Sequence, residues 1–477
     1  MKKILSALLY LSLTATIVPA QEPPVNLSLE QAITTALEQN LGLRLKKQEI
    51  MAAQGGAEIA QGAFDPLVIA TGFHGESRDT SFATGATSDE QTTGWSASLQ
   101  KKIDSGAALD LTWENLRYDS DQPLVIDPAY SSSLSVGVTQ PLLKGWGRDI
   151  QTATIQSSEK LVAAAGEAVT SEAVDLGSAV ATAYWELLFA HQNMEVKKLS
   201  LALAGKLLDN AAKKIEAGIL APVEIYQPES EVARREQALI EGERVVALAE
   251  DSLKLMLNRE DWETTLMPID HPEVGKSQAE LKTVLDHALA GRPDLRAAER
   301  KVEATEIVAV LADDSLRPSL DLSGRMGLTG TDESYGNSIG EVTTSSDLAW
   351  QLGVTFTLPL NNRSAKGGLL TAQANLEMAK TTVDLLRQDV IRTAREAVRN
   401  EHLALKNIEA SRKTALALQK RLEAEENKFE VGLSTALDVL EAQEAYAQGL
   451  IGQKRALIDY ALAQVELNRV QGIILVK

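Results

Sequence analysis

Residues 134–142, Leu-Ser-Val-Gly-Val-Thr-Gln-Pro-Leu, occur again in altered form at residues 352–360 as Leu-Gly-Val-Thr-Phe-Thr-Leu-Pro-Leu. In both stretches apolar residues alternate with polar or small ones, which predicts a β-strand with one apolar face ending near a proline. No proline lies between Pro141 and Pro222, and none follows Pro359. Because a proline inside a helix costs about 3 kcal/mol, each of these strands is expected to lead into a very long helix.

The repetition extends beyond these two strands. Residues after Leu29 align with residues after Leu281 at a constant offset, and the glycine-containing stretch 217–225 aligns with 431–439. Each copy contains a helix, strands, a long helix, a glycine turn and a return helix, so we predict an internal tandem duplication. The predicted segments are a signal peptide at residues 1–20, a first repeat at 21–258, an equatorial linker at 259–280 and a second repeat at 281–477.

Composition excludes several classes of protein. The 477 residues include 47 basic and 66 acidic side chains, a formal net charge of -19, and no cysteine. A chain without cysteine has no disulfide framework, thiolate metal site or thiol nucleophile. The acidic balance argues against a nucleic acid partner, because acidic surfaces repel phosphates. Residues 1–20 combine Lys2 and Lys3 with an apolar run and Val-Pro-Ala, which is typical of a secretory signal peptide and predicts export.

A period of two marks the strand regions, at about 66–141 in the first repeat and 318–359 in the second. Strands of about 9 to 11 residues can cross a bilayer at a tilt. Alternation alone fits a soluble sheet with one solvated face equally well. The strands are predicted near residues 67–74, 94–103, 107–117 and 133–140, with two more between Pro318 and Pro359.

Aromatic residues and loops favour the membrane interpretation of these strands. Aromatic side chains concentrate at membrane interfaces, and the long loops at 76–92 and 118–133 are polar, as on the outer side of an outer membrane barrel. We therefore predict a sheet in contact with outer membrane lipid. The predicted interfacial aromatics are Trp95, Trp113, Trp146 and Trp350.

Long helices are the second structural signal. Residues 369–431 contain neither proline nor glycine. Leu369, Leu376, Val383 and Val390 recur every seventh residue, which is the spacing of a coiled coil. Such a pattern predicts long packed helices but by itself indicates no function.

Catalytic motifs are missing from the sequence. It contains no nucleophile elbow, phosphate-binding glycine loop or dinucleotide fingerprint, so we expect no enzymatic activity, no cofactor and no metal site. An exported enzyme and a non-conducting periplasmic or surface coiled-coil protein are the alternative interpretations. The five histidines are scattered without metal-ligand spacing: His74, His191, His271, His287 and His402.

Taken in order, these features resemble the TolC-like outer membrane efflux proteins. The resemblance covers the duplication, the Leu-Ser-Leu-Glu-Gln-Ala start at 27–32, the strand exits at 140–143 and 358–360, and the two glycine turns near 218 and 432. It implies a mixed α and β fold in which a homotrimer shares a long antiparallel coiled-coil α-barrel and a transmembrane antiparallel β-barrel. The junctions between barrel and helices would lie at Pro66, Pro141, Pro318 and Pro359.

The resemblance also implies a function and partners. The expected protein is an outer membrane channel-tunnel of a tripartite efflux or type I secretion system in a Gram-negative bacterium, with its helical tunnel in the periplasm. It would conduct substrates passively from a periplasmic adaptor protein and an inner-membrane pump, either proton-driven or of the ABC type.

One strand region departs from the family pattern. The family has two strands in each repeat and therefore twelve in the trimer, whereas the first repeat has room for four. Residues 96–115, with a turn at Asp104-Ser105-Gly106, look like an added hairpin. The hairpin either joins the wall, giving eighteen strands, or lies at the extracellular mouth.

Acidic residues come after the second glycine turn. Asp438 and Glu441 are three residues apart and share one helix face, which also fits carboxylates that simply favour a helix start. The resemblance implies that they form a periplasmic gate together with Glu224, which is the equivalent of Asp438, while Gln227 stands opposite Glu441. The predicted adaptor-docking tips are Gly218, Ile219, Leu220, Gly432, Leu433, Ser434 and Thr435.

The tips also differ from the family and from each other. Family members often carry a basic residue at the position of Ser434 that braces the closed entrance, so this brace is expected to be missing, and Phe429 to offer apolar contact only. Pro222 fits the first position of the return helix. Pro228 lies further along, inside the helix, and is expected to kink it.

Overall fold

The fold was analysed in a computed structural model that describes residues 25–80, 85, 87–121, 127–275, 279–344 and 347–474. The predicted signal peptide lies outside the described residues. The chain divides into two compact units. Each unit combines segments from both predicted repeats, and the repeat boundaries stay a prediction. The first unit comprises the described parts of Met1–Leu41, Ala173–Val284 and Ala394–Lys477, and the second those of Gly42–Glu172 and Leu285–Thr393.

Helices form most of the described chain. Two short 3-10 segments accompany them, at Gly62–Phe64 and Pro222–Ile225. The α-helices are α1 (Leu29–Gln39), α2 (Leu41–Gln61), α3 (Arg148–Gln151), α4 (Ala153–Glu216), α5 (Tyr226–Met256), α6 (Leu281–Gly291), α7 (Pro293–Asp314), α8 (Tyr335–Thr344), α9 (Arg363–Glu430) and α10 (Ala436–Val470).

The strands form two sheets, a six-stranded one and a two-stranded one. All six strands predicted from the period of two are present. The strands are β1 (Val25–Leu27), β2 (Leu67–Thr80), β3 (Thr87–Lys102), β4 (Ala108–Ser120), β5 (Ala129–Pro141), β6 (Leu266–Pro268), β7 (Ser319–Asp332) and β8 (Leu348–Thr357).

The second unit contains the six-stranded sheet, in the order β2-β3-β4-β5-β7-β8. Every neighbouring pair is antiparallel. The added hairpin, for which the sequence left two positions open, is β3–β4. It lies inside this sheet, between β2 and β5. Helix α8 packs against β5 and β7, where Ser338 Oγ lies 2.9 Å from Ser132 Oγ.

The two faces of this sheet differ in polarity. One face carries large apolar side chains that are exposed, although in a water-soluble sheet they would be covered. The other face carries mainly Ser, Thr, Gln and charged residues, because strand side chains alternate between faces. The exposed apolar residues include Val68, Trp95, Leu99, Leu109, Leu111, Val136, Val138, Met326, Trp350, Leu352, Val354 and Phe356.

The first unit is built on a helical core. Side chains of α1, α4, α5 and α10 pack together there, including Ile33, Leu187, Leu253 and Ile458, all fully buried. The parallel pair β1–β6 is held to α4 by Tyr184, whose hydroxyl donates to the Asp270 carboxylate at 2.7 Å.

The two longest helices confirm the predicted rods. Helix α4 has 64 residues and α9 has 68, so each is about 95 to 100 Å long at 1.5 Å per residue. Val383 and Val390 of the seven-residue pattern are buried in α9, and Leu369 and Leu376 are half-buried. None of the helices in the described part of the chain is long and apolar enough to cross a membrane.

Two predicted helices differ from expectation. The pattern from Leu29 to residue 60 predicts one helix, but Asn40 has an extended backbone and separates α1 from α2. The Asn40 side chain donates to the carbonyl of Met256 at 2.9 Å, a long-range contact that no local pattern indicates. In the second repeat Arg292 makes the same break, because it precedes Pro293 and is pushed out of the helical region.

Candidate functional site

The first glycine turn ends α4. Gly218 has a φ of 73°, in the left-handed region that glycine enters without steric cost. The N–H of Gly218 donates to the carbonyl of Ile215 at 2.9 Å, and that of Ile219 donates to Lys214 at 2.8 Å. These two bonds form a Schellman motif, which satisfies carbonyls at the helix end and reverses the chain.

The second glycine turn repeats this geometry at the end of α9. Gly432 has a φ of 80°. Its N–H donates to the carbonyl of Phe429 at 3.2 Å, and the N–H of Leu433 donates to Lys428 at 2.8 Å. The two turns predicted from glycine alone therefore have the same hydrogen bonds.

Asp438 takes part in the capping box of α10. Its backbone N–H donates to Thr435 Oγ1 at 3.2 Å, and its carboxylate accepts from the Thr435 N–H at 3.0 Å. The hydroxyl of Thr435 donates to the same carboxylate at 2.6 Å. These hydrogen bonds favour the ionised carboxylate and lower the pKa of Asp438. Asp438 thus has a structural role at the helix start, whatever further role it has.

The hydroxyl group of Ser434 links the two sides of the second tip. Its Oγ lies 2.9 Å from a carboxylate oxygen of Glu425 and 3.3 Å from Asp438 Oδ2. Glu425 also pairs with Lys428 at 2.8 Å. The Lys428 ammonium and the Ser434 hydroxyl together lower the pKa of Glu425. The start of α10 is thereby tied to the last two turns of α9.

Lys214 supplies a basic brace that the sequence analysis missed. Its ammonium donates to the backbone carbonyls of Phe429 and, at 3.2 Å, Glu430. The same ammonium lies 4.2 Å from the centre of the Phe429 ring. The ring is 3% exposed and packs with Leu207, Leu422 and other apolar side chains of the tip. The expectation that Phe429 offers apolar contact only is therefore wrong, because a cation from the other tip covers its ring.

The two remaining predicted gate residues are free at the surface. Glu224, in the 3-10 segment, and Glu441, in the first turns of α10, are both exposed. Neither side chain forms a hydrogen bond or ion pair with the residues that the structure describes. Both carboxylates are therefore available to ions or to another chain.

Large apolar side chains surround these acidic residues at the tips. Ile219 is 67% exposed and Leu433 79% exposed, although burial of such side chains is favourable. Others of this group are Val223, Tyr226, Val431 and Leu437. Of the predicted docking residues, Leu220 differs because it is half-buried and packs against the core beneath the tips.

The prolines of the return segment act differently from prediction. Pro222 begins the 3-10 segment, and the α-helix starts only at Tyr226. Pro228 is therefore the third residue of α5, in the first turn, where its missing N–H costs no helical hydrogen bond. Pro228 therefore gives no cause for the expected kink inside the return helix, and the change from 3-10 to α-helix comes before it.

The predicted junction prolines lie at the ends of the wide sheet. Pro66 directly precedes β2 and Pro318 directly precedes β7, while β5 ends at Pro141. Pro359 lies two residues beyond the end of β8. The carbonyl of Pro318 accepts from the N–H of Lys144 at 3.3 Å, which holds one strand exit beside one strand entry.

Three of the four predicted interfacial tryptophans lie on the apolar face of the sheet. Trp95, Trp113 and Trp350 share this face through the pairings of β3, β4, β5, β7 and β8. Trp146 does not lie on a strand but in the turn between β5 and α3, between Gly145 and Gly147. Trp146 is exposed there, and its position at a membrane interface stays a prediction.

The fold and the sequence both match known outer membrane proteins. The outer-membrane channel OprN superposes with a TM-score of 0.72 at 17% identity, covering 93% of this chain and 89% of OprN. VceC of Vibrio cholerae gives a TM-score of 0.68 at 18% identity, covering 93% and 96%. Residues 284–472 match the family described as outer membrane efflux protein. This match covers less than half of the chain, and the second half of the chain is similar to that family.

Individual relatives of this chain are distant in sequence. Outer membrane protein TolC of Vibrio cholerae is 21% identical over 296 residues, and that of Escherichia coli is 21% identical over 306 residues. Each alignment covers 61% of this chain, but only 66% and 60% of the relatives, less than two thirds of either length. The similarity to outer membrane efflux proteins and to TolC indicates a location in the outer membrane of a Gram-negative bacterium, with a periplasmic helical part.

Proposed function

We propose that the chain forms a homotrimeric channel-tunnel in the outer membrane, in a tripartite efflux or type I secretion system. It conducts substrates passively from a periplasmic adaptor and an inner-membrane pump, proton-driven or ABC, to the exterior. No enzymatic activity or cofactor is part of the proposal.

The two-faced sheet is the observation that carries this proposal. An exposed apolar face suits lipid acyl chains, whereas the polar face suits a water-filled interior. Within the described residues, β2 and β8 are the sheet edges and pair on one side only. Backbone groups at an edge cannot remain unpaired inside a bilayer, so pairing β8 of one copy with β2 of the next satisfies both edges and closes a shared barrel.

The tips supply the proposed partner surface. Exposed Ile219 and Leu433 lie at the two glycine turns, and burying such side chains against an adaptor would be favourable. We place the adaptor-docking surface at Gly218–Leu220 and Gly432–Thr435. In this proposal the inner-membrane pump selects the exported substrate, because the channel itself only conducts passively.

Acidic side chains at the same tips form the proposed gate. In a threefold assembly each of Glu224, Asp438 and Glu441 occurs three times around the axis, and rings of carboxylates attract cations. Glu224 and Glu441 are exposed and free of partners among the described residues, so they are the carboxylates best placed to bind ions. Asp438 keeps its charge through its capping hydrogen bonds.

Conductance of the purified protein in a planar bilayer tests the function. The proposal expects discrete channel openings with a preference for cations. A non-conducting structural coiled-coil protein would give no openings under any ionic condition, and that result would sink the proposal.

The gate is tested with Glu441→Gln, which keeps the size of the side chain and removes its charge. We expect weaker cation preference and weaker block by multivalent cations. The matched control is Glu243→Gln in α5, which is exposed and lies about 25 Å along the helix from its start. Equal selectivity in Glu441→Gln and the control would remove Glu441 from the gate.

A further inference from the structure

The hairpin β3–β4 stands between the strands on either side of it in the sheet. Strand β3 pairs with β2 from Thr80↔Thr87 to Leu67↔Gln100, and β4 pairs with β5 from Ala108↔Thr139 to Tyr118↔Ala129. Strands β2 and β5 are not neighbours in this sheet. A hairpin that only decorated the outer mouth would leave β2 and β5 paired with each other.

From this we propose that the β3–β4 hairpin is part of the membrane wall, so that each chain contributes six strands and three copies form an eighteen-stranded barrel. The inference rests on the proposed trimeric channel and adds to it the composition and width of the wall.

The apolar face of the sheet continues without a break across the hairpin. Residues that face each other on neighbouring strands lie on the same side of a sheet. One row across β3, β4 and β5 is Leu99, Leu111 and Val136. All three are exposed to a similar extent, at 43%, 41% and 50%. Lipid that covers Val136 would therefore also cover the hairpin.

The polar face is continuous as well. Asp110 of β4, Gly137 of β5 and Arg325 of β7 occupy one row. The Asp110 carboxylate reaches over the glycine to the Arg325 guanidinium at 3.2 Å. A side chain at position 137 would overlap the Asp110 carboxylate, so the glycine leaves the space that the ion pair crosses. The hairpin is thus linked to a second-repeat strand on the face that would line the channel.

Tryptophan positions support a tilted wall that includes β3. The cross-strand pairings that start at Trp95 lead to Gly330 on β7. Trp350 of β8 pairs with Met326 on β7, so the two tryptophans are offset by four residues along that strand. Four residues are about 13 Å along a strand, and the four strand spacings from β3 to β8 are about 19 Å. If both indoles lie at one membrane interface, the strands are tilted by about 35°, within the range of membrane barrels.

An eighteen-stranded wall encloses a wider opening. Barrel diameter grows roughly in proportion to strand number, so this barrel would be about 1.5 times as wide as a twelve-stranded one. Barrels of 16 to 18 strands hold an aqueous channel. The membrane part would not be the narrowest part of the duct.

The absence of cysteine makes the inference directly testable with single-cysteine variants of the full chain. Leu111→Cys and Leu99→Cys place a fluorescent label on the apolar face of the hairpin, and Thr112→Cys places it on the polar face. Leu352→Cys in β8 is the reference, because β8 belongs to the wall for either number of strands. Each labelled protein is reconstituted in vesicles with and without spin-labelled acyl chains.

The expected result is strong quenching by these lipids at positions 99, 111 and 352, and access of a water-soluble quencher at position 112. Quenching at 352 but not at 99 and 111 would overturn the eighteen-stranded wall and leave the channel intact. No quenching at 352 would overturn the membrane wall itself and this inference with it. Channel openings in the bilayer confirm that each labelled variant is folded.

Discussion

At the scale of single residues, Asp438 and Glu441 show how two acidic side chains on one helix face differ in role. Asp438 accepts hydrogen bonds from the hydroxyl and backbone N–H of Thr435, and its pKa is lowered. Glu441 is exposed and has no partner among the described residues. The first carboxylate stabilises the start of α10, so the second is the better probe of ion binding.

Glu425, whose pKa is lowered by Lys428 and Ser434, contributes to the pH dependence of the second tip, and so does Asp438. Because the pKa of Asp438 is lower in the folded tip, its contribution is complete above the usual aspartate pKa of about 3.9 and is lost as the pH falls through the lowered value. We expect residues 433–438 to open more readily at pH 3 than at pH 5 in hydrogen exchange corrected for intrinsic rates. Asp438→Asn should open more readily at both values and show a weaker pH dependence, because only the Glu425 contribution remains. An equal pH response in both proteins would contradict the assignment.

Lys214 gives a second prediction at this scale. Lys214→Met removes hydrogen bonds from a charged donor to Phe429 and Glu430, together with the contact above the Phe429 ring. We expect a loss of about 1.5 kcal/mol in the free energy of opening the second tip, measured by hydrogen exchange at residues 428–433.

The control is the neighbouring Lys213→Met. Lys213 forms an exposed ion pair with Asp209 at 2.9 Å on its own helix, and such pairs contribute about 0.5 kcal/mol or less. Equal effects of the two substitutions would show that Lys214 does not brace the tips.

At the scale of elements, the tips are reversals fixed by backbone geometry. Gly218 and Gly432 are both left-handed, and the same two hydrogen bonds end α4 and α9. The return segments differ, because Thr435 starts α10 with a capping box whereas Pro222 starts a 3-10 segment. The two return helices therefore begin at different distances from their glycines.

Gly432→Ala tests the reversal. A left-handed alanine costs about 1 to 2 kcal/mol, so the second tip should open more easily by that amount in hydrogen exchange. Gly205→Ala in the interior of α4, where the added methyl group meets open space, should instead stabilise its helix by about 0.5 to 1 kcal/mol. Unchanged protection in Gly432→Ala would contradict the requirement for glycine.

At the scale of the whole molecule, the two sheet edges favour the proposed assembly. A single chain would expose the edges β2 and β8 together with a large apolar face, a combination that promotes association. Three chains sharing one wall would remove both edges.

Native mass spectrometry in detergent checks this assembly. We expect a species with about three times the mass of one chain, and a single-chain mass after heat denaturation. A monomer as the only folded species would contradict the proposed trimer.

Local sequence patterns were enough to predict the two longest helices, the six strands of the wide sheet and the two glycine turns. The period of two around residues 134–140 predicted a strand, the seven-residue spacing from Leu369 to Val390 predicted a long helix, and Gly432 predicted a reversal. Family resemblance then supplied the outer membrane location.

Contacts between distant residues became apparent only in three dimensions. Lys214 and Phe429 are 215 residues apart, as are Asp110 and Arg325, and no local pattern connects such pairs. The place of β3–β4 in the sheet was likewise undecided, since an alternating hairpin has the same sequence pattern in a wall or beside it. Strand pairing depends on hydrogen bonds between separate segments, so the number of strands that each chain gives to the sheet emerged only in three dimensions.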